Sequence, residues 1–144
     1  MYFGIHHIQL ACPAGSEDVQ RRYFVDILGM TEVAKPQPLR GRGGCWFRGP
    51  GDAALEIHLG VESEFRPTRK GHPGIAWGDM NSLRALAERL ESAGYPVTWS
   101  DELWGQAVRL NGMPGAPTHA AGFDRFHTTD AFDNRLEFLA PVEG

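Results

Sequence analysis

The stretch GHPGIAWGD, residues 71–79, decides how this chain is read, because it restarts the pattern of FGIHHIQLAC at residues 3–12. Both are short, apolar and strand-like, and both carry histidine. Each leads into a run with helical spacing. In the first run Val19, Tyr23, Ile27 and Leu28 recur on one face, after a Ser16 N-cap, and Gly29 ends it. In the second, capped by Asp79 or Asn81, Leu83, Leu86, Ala87 and Leu90 form the stripe of a helix over 82–93, and Gly94 ends it.

Working outward from both stretches gives the same order twice. After the first helix, strands are expected near Thr31–Ala34, Gly43–Arg48 and Ala53–Gly60. After the second come YPVTWS at 95–100, a Gly- and Pro-rich tract over 102–122, and strands at Phe123–Thr128 and Arg135–Leu139 joined by the turn TDAFDN. His7 and His72 are 65 residues apart, as are Gly29 and Gly94. LEI at 55–57 and LEF at 136–138 are 81 apart, so 16 extra residues fall to the tract over 102–122. The expectation is an α+β fold of two βαβββ modules, 1–66 and 67–144, together one domain.

Strand alternation then sorts the side chains. His7, Gln9 and Ala11 share one face, and His6, Ile8, Leu10 and Cys12 the other. His72 is set against Pro73 and Ile75, Glu56 and His58 against Ile57, and Glu137 against Leu136 and Phe138. In each strand an apolar face backs one that bears a ligand-type group. A two-fold repeat makes His7, Glu56, His72 and Glu137 two matching pairs, and two imidazoles with two carboxylates suit a divalent ion such as Zn, Ni, Co, Fe or Mn. His58 competes with Glu56, and the spacing of the repeat favours Glu56.

The remaining composition narrows the classes. The chain has 144 residues and a net charge of −4, which leaves no positive excess for nucleic acid. Two cysteines make no disulfide scaffold, and no apolar run reaches the ~18 residues of a membrane span. A cytoplasmic protein with neither a nucleic-acid nor a membrane partner is expected. Trp46, Trp77, Trp99 and Trp104 are candidates to line a pocket. Trp77 falls on the helix side, whereas Trp104, in the loop tract, suits a lid. His119 and His127 read first as surface histidines, with substrate contact or acid–base work as the functional alternative.

The doubled βαβββ order, the strands HIQLAC and HPGIAW, the turn DAFDN and the ending NRLEFL together resemble the vicinal oxygen chelate superfamily. That group includes glyoxalase I, extradiol dioxygenases, fosfomycin-modifying enzymes and bleomycin resistance proteins. Ala131 and Asp133 stand where the family's turn carries Pro and Gly. The resemblance implies modules curved into a half-open barrel around a cavity, and a homodimer. It also implies metal ligands at His7, His72 and Glu137, with a variable fourth-strand position filled by Glu56 or His58. A metal-dependent isomerase or lyase is then the leading activity, with Glu56 or Glu137 moving a proton next to a carbonyl. An extradiol-type dioxygenase and a metal-free binder of an antibiotic or aromatic ligand are the alternatives.

Overall fold

The computed structural model describes residues 4–51, 55–100 and 122–142. Among the described residues, eight strands form two four-stranded mixed sheets, and neither closes into a barrel. The first sheet holds β1 (His7–Cys12), β2 (Thr31–Val33), β3 (Trp46–Arg48) and β4 (Glu56–Val61), in the order β1-β4-β3-β2. The second holds β5 (Gly74–Ala76), β6 (Thr98–Trp99), β7 (Gly122–Thr129) and β8 (Arg135–Val142), in the order β5-β8-β7-β6. The expected α+β fold of two βαβββ modules is therefore present. In both sheets the outermost parallel pair joins the module's first and last strands, His7 facing Glu56 and Gly74 facing Glu137. By packing, the chain divides into one unit of Met1–Gly71 with Thr129–Arg135, and a second of His72–Thr128 with Leu136–Gly144.

The second helix follows its sequence, whereas the first departs from it: Gln20, Tyr23, Phe24 and Leu28 are buried there, and Val19 and Ile27 only half-buried. α2 (Met80–Ser92) is capped by the Asp79 carboxylate, which accepts from Ser82 N at 2.8 Å, and it buries Leu83, Leu86, Ala87 and Leu90. The first helix starts as α1 (Glu17–Arg21) and widens into a π-helical stretch, Arg22–Ile27. Leu28 N there reaches back five residues to Tyr23 O. Ser16 sits at the N-cap, yet its hydroxyl does not cap. It donates to Pro13 O and accepts from Gln20 Nε2. The buried Gln20 amide is bonded again by the Cys45 N–H. Gly29 and Gly94 both take positive φ, 71° and 89°, so each ends its helix in the conformation glycine adopts most cheaply. Among the described residues, no helix is long and apolar enough to cross a membrane.

The turn between β7 and β8 is closed by side chains. Asp130 is buried, and its carboxylate accepts from Phe132 N at 2.8 Å, Asn134 N at 3.0 Å and Asn134 Nδ2 at 2.8 Å. Asn134 Nδ2 also donates to Ala11 O, and Asn134 Oδ1 accepts from Thr68 N. Burial still pushes the Asp130 carboxyl above its usual value, against those bonds. Asp133 has φ 66°, the left-handed position that the family's turn gives to glycine.

Asp130→Ala strands three N–H donors, two of them in a buried residue. It should cost about 2–4 kcal/mol in urea unfolding, and a loss under ~1 kcal/mol would refute the assigned bonding. Asp133→Gly should leave the unfolding midpoint equal or higher, since glycine relieves the left-handed strain. A clear loss would mean that the Asp133 side chain supports the turn.

Candidate metal centre

Three side chains of the second unit gather their donors. One ligand atom from each of His72, His127 and Glu137 lies within 4.8 Å of the others. Glu137 comes from β8, His127 from β7, and His72 from just ahead of β5. His72 Nε2 is 3.0 Å and His127 Nε2 3.5 Å from Glu137 Oε2. The other carboxylate oxygen, Oε1, accepts from Arg125 Nη1 at 3.2 Å. Glu137 is 8% exposed, so its charge is met mainly by these partners rather than by water. Gly74 faces it on β5, and a Cβ there would lie 3.9 Å from Oε2. Glycine leaves that side of the carboxylate open.

From sequence His127 reads as a surface or substrate-contact residue, and the structure sets it among the donors. Its position follows from the turn. Asp130 N donates to Asn134 O; His127 lies three residues before that bond and Glu137 three after it, so an unbroken antiparallel count sets them opposite. Arg125, two residues earlier on β7, shares the face of His127. The signal was present in the sequence, but it needed the register of the hairpin.

The first unit gathers a different set. His58 is buried, and its Nε2 is 2.8 Å from Glu56 Oε2, while Arg48 Nη2 donates to Glu56 Oε1 at 3.0 Å. The His58 ring lies between Trp46, stacked at 3.7 Å, and His7, stacked at 4.2 Å. Burial pushes the His58 imidazole below its usual value and outweighs the pull of Glu56. The His58 and Arg48 bonds hold the Glu56 carboxyl below its usual range. His6 Nδ1 lies 3.0 Å from His7 Nδ1.

The strand ladders revise the repeat. β1 sets Gln9 opposite His58, and β5 sets Gly74 opposite Glu137. Gln9 and Gly74 share the 65-residue spacing of the two histidines and the two helix-ending glycines, so the counterpart of Glu137 is His58. The preference for Glu56 came from matching LEI with LEF, and that match is two residues out of register with the ladder. Trp46, opposite His58 on β3, occupies the place that His127 holds in the second unit.

The other sequence candidates separate. Trp99 faces Phe126 on β6–β7, with ring centroids 5.1 Å apart, so it lies on the sheet face opposite His127 and Arg125. Trp77 packs edge-on against Phe138 at 5.4 Å, as its parity predicts. Trp104, His119 and nearly all of the tract over 102–122 lie outside the described residues.

Two imidazoles and one carboxylate, each offering one atom, form a donor set suited to a first-row divalent ion with coordination positions left over.

No protein-family model matches the chain, and neither does any curated protein. Solved structures do. A glyoxalase family protein from Bacillus anthracis is 30% identical, with a TM-score of 0.73 over 98% of this chain and 97% of that one. The fosfomycin resistance protein FosX from Listeria monocytogenes, 12% identical, gives 0.67 over 99% and 96%. Lactoylglutathione lyase from Agrobacterium tumefaciens, 15% identical, gives 0.61 over 95% and 92%. The latter two are alike in fold. The likeness to the Bacillus protein reaches further, since nearly a third of its residues recur along almost its full length. By that measure the chain belongs to the glyoxalase/bleomycin resistance/dioxygenase family, the vicinal oxygen chelate superfamily.

Proposed function

We propose that this protein is a metal-dependent enzyme. Its substrate is a small molecule that binds through neighbouring oxygens, and the reaction is a proton transfer next to a carbonyl, of the isomerase or lyase kind. The observation that carries this reading is the meeting of His72, His127 and Glu137 donor atoms within 4.8 Å. Those residues would hold the ion. When bound, it would supply Lewis acidity toward a carbonyl or hydroxyl oxygen. A Glu-to-Gln mutant of the FosX of Listeria monocytogenes, alike in fold, was crystallised with Mn(II) and 1S,2S-dihydroxypropylphosphonic acid, a ligand with oxygens on neighbouring carbons.

The chain's own residues have separate parts in this proposal. Neutral His72 and His127 donate nitrogen lone pairs, and Glu137 donates Oε2. Glu56, held ionised by His58 and Arg48, is the carboxylate proposed to accept the substrate proton. From the family resemblance, His7 and the β4 position, Glu56 or His58, remain in the proposal as further ligands. A homodimer in the cytoplasm is part of the same reading, and its mass in solution tests the dimer.

Elemental analysis of protein purified without a metal-affinity tag should find about one divalent ion per chain. Glu137→Gln and His72→Ala should each weaken its retention by more than ~100-fold. His58→Ala and Glu56→Gln, assayed alongside, identify the β4 ligand as the one whose loss weakens retention. Metal-free wild-type protein that binds its ligand equally well in excess chelator would overturn the enzyme reading in favour of a binding protein. For the reaction class, turnover in D2O should place deuterium at the carbon beside the carbonyl, and Glu56→Gln should abolish that exchange; product free of solvent deuterium, or exchange surviving in Glu56→Gln, would count against Glu56 as the proton acceptor.

A further inference from the structure

The carboxylate of Glu137 is divided between two kinds of partner. Oε2 faces both imidazoles, at 3.0 Å and 3.5 Å, and Oε1 is taken by Arg125 Nη1 at 3.2 Å. Arg125 is largely buried, with 17% of its side chain exposed, and the bond crosses between adjacent strands of one sheet. The same division occurs independently in the first unit. There Glu56 gives Oε1 to Arg48 at 3.0 Å and Oε2 to the His58 imidazole at 2.8 Å. In both units, then, a guanidinium from the antiparallel neighbour strand holds one oxygen and leaves the other to histidine.

We infer that Arg125 is a positioning residue that confines Glu137 to one ligand oxygen, so that a coordination position stays open for substrate. This rests on the proposed metal centre. A carboxylate bound through one oxygen fills one position on an ion, and bound through both oxygens it fills two. Held through one oxygen, Glu137 takes a single position beside His72 and His127, and the position its second oxygen would fill is left for substrate. A charge-assisted bond from a planar guanidinium fixes Oε1 in direction as well as charge. Take it away, and Oε1 is free to turn onto the ion. A positive charge beside the ion is also lost, which favours cation binding. The consequence is specific. Loss of Arg125 leaves metal affinity intact or raises it, while the open position closes.

The test uses Mn(II) alone as the probe, so it does not depend on knowing the substrate. Wild type, Arg125→Met, Arg125→Gln and Arg125→Lys are titrated with Mn(II). Free ion is read by electron paramagnetic resonance, and water bound to the ion by water-proton relaxation. Arg125→Met and Arg125→Gln should bind Mn(II) as tightly as wild type or up to roughly tenfold more tightly. The relaxivity of their bound ion should fall by the share of at least one water, and Arg125→Lys should restore it. Two outcomes overturn the inference: affinity lost by about tenfold or more with unchanged relaxivity of the ion that remains, or both quantities unchanged. If wild type binds no Mn(II) while Zn(II), Co(II) and Ni(II) are likewise excluded, the metal centre itself fails. That failure appears in the wild-type titration, before any variant is compared.

Discussion

In each module, taken by itself, the place of the polar donors depends on the pairing of its first and last strands. Parallel partners are locked residue to residue, and each strand shows a given face only at every second position. His7 opposite Glu56 and Gly74 opposite Glu137 are thus fixed along the whole ladder. Ile57, Leu136 and Phe138, on the alternate positions, are buried on the other face. A slip of one residue would exchange those faces. The apolar core and the polar donors are therefore specified by the same register, and the cost of burying Leu136 and Phe138 wrongly protects the place of Glu137.

Much of this was legible in the sequence because period and spacing are local. The stripe of the second helix, the glycines that end both helices, the 65-residue repeat and the parity of each strand need no knowledge of partners. What was not legible depended on pairing between strands. His127 was set aside because a histidine beside a loop has no address until the hairpin count is known. The match of LEI to LEF put Glu56 in register with Glu137, whereas the ladder gives that place to His58. Trp99 looked like a pocket residue by type, yet its partner Phe126 draws it to the opposite face. Apolar spacing alone gives no sign of the π-helical widening at Arg22–Ile27, which shows only in the Leu28 N bond to Tyr23 O.

The two modules have diverged in a way their shared ladder makes plain. Where the second unit has His127 and Glu137, the first has Trp46 and His58 at matching places. Trp46 brings an apolar ring that stacks on His58 and helps bury it. The first unit thereby holds its imidazole dry and its Glu56 carboxylate charged, while the second keeps two half-buried imidazoles around one carboxylate oxygen. The two frames share one topology, and the residues on β3 and β4 of the first give it a chemistry different from that of β7 and β8 in the second.

The turn DAFDN connects these points. An antiparallel pair joined by a short turn takes its register from that turn. Asp130 and Asn134 close it with buried bonds that leave no alternative count, and Asp133 takes the left-handed position without glycine. Equal steps outward from the closed turn bring His127 and Glu137 face to face, and two more residues along β7 stands Arg125, bonded to the second carboxylate oxygen. The turn thus closes through the side chains of Asp130 and Asn134, with Ala131 and Asp133 where the family's turn carries proline and glycine. The same bonding that closes the turn also sets His127 and Arg125 on the face from which Glu137 projects.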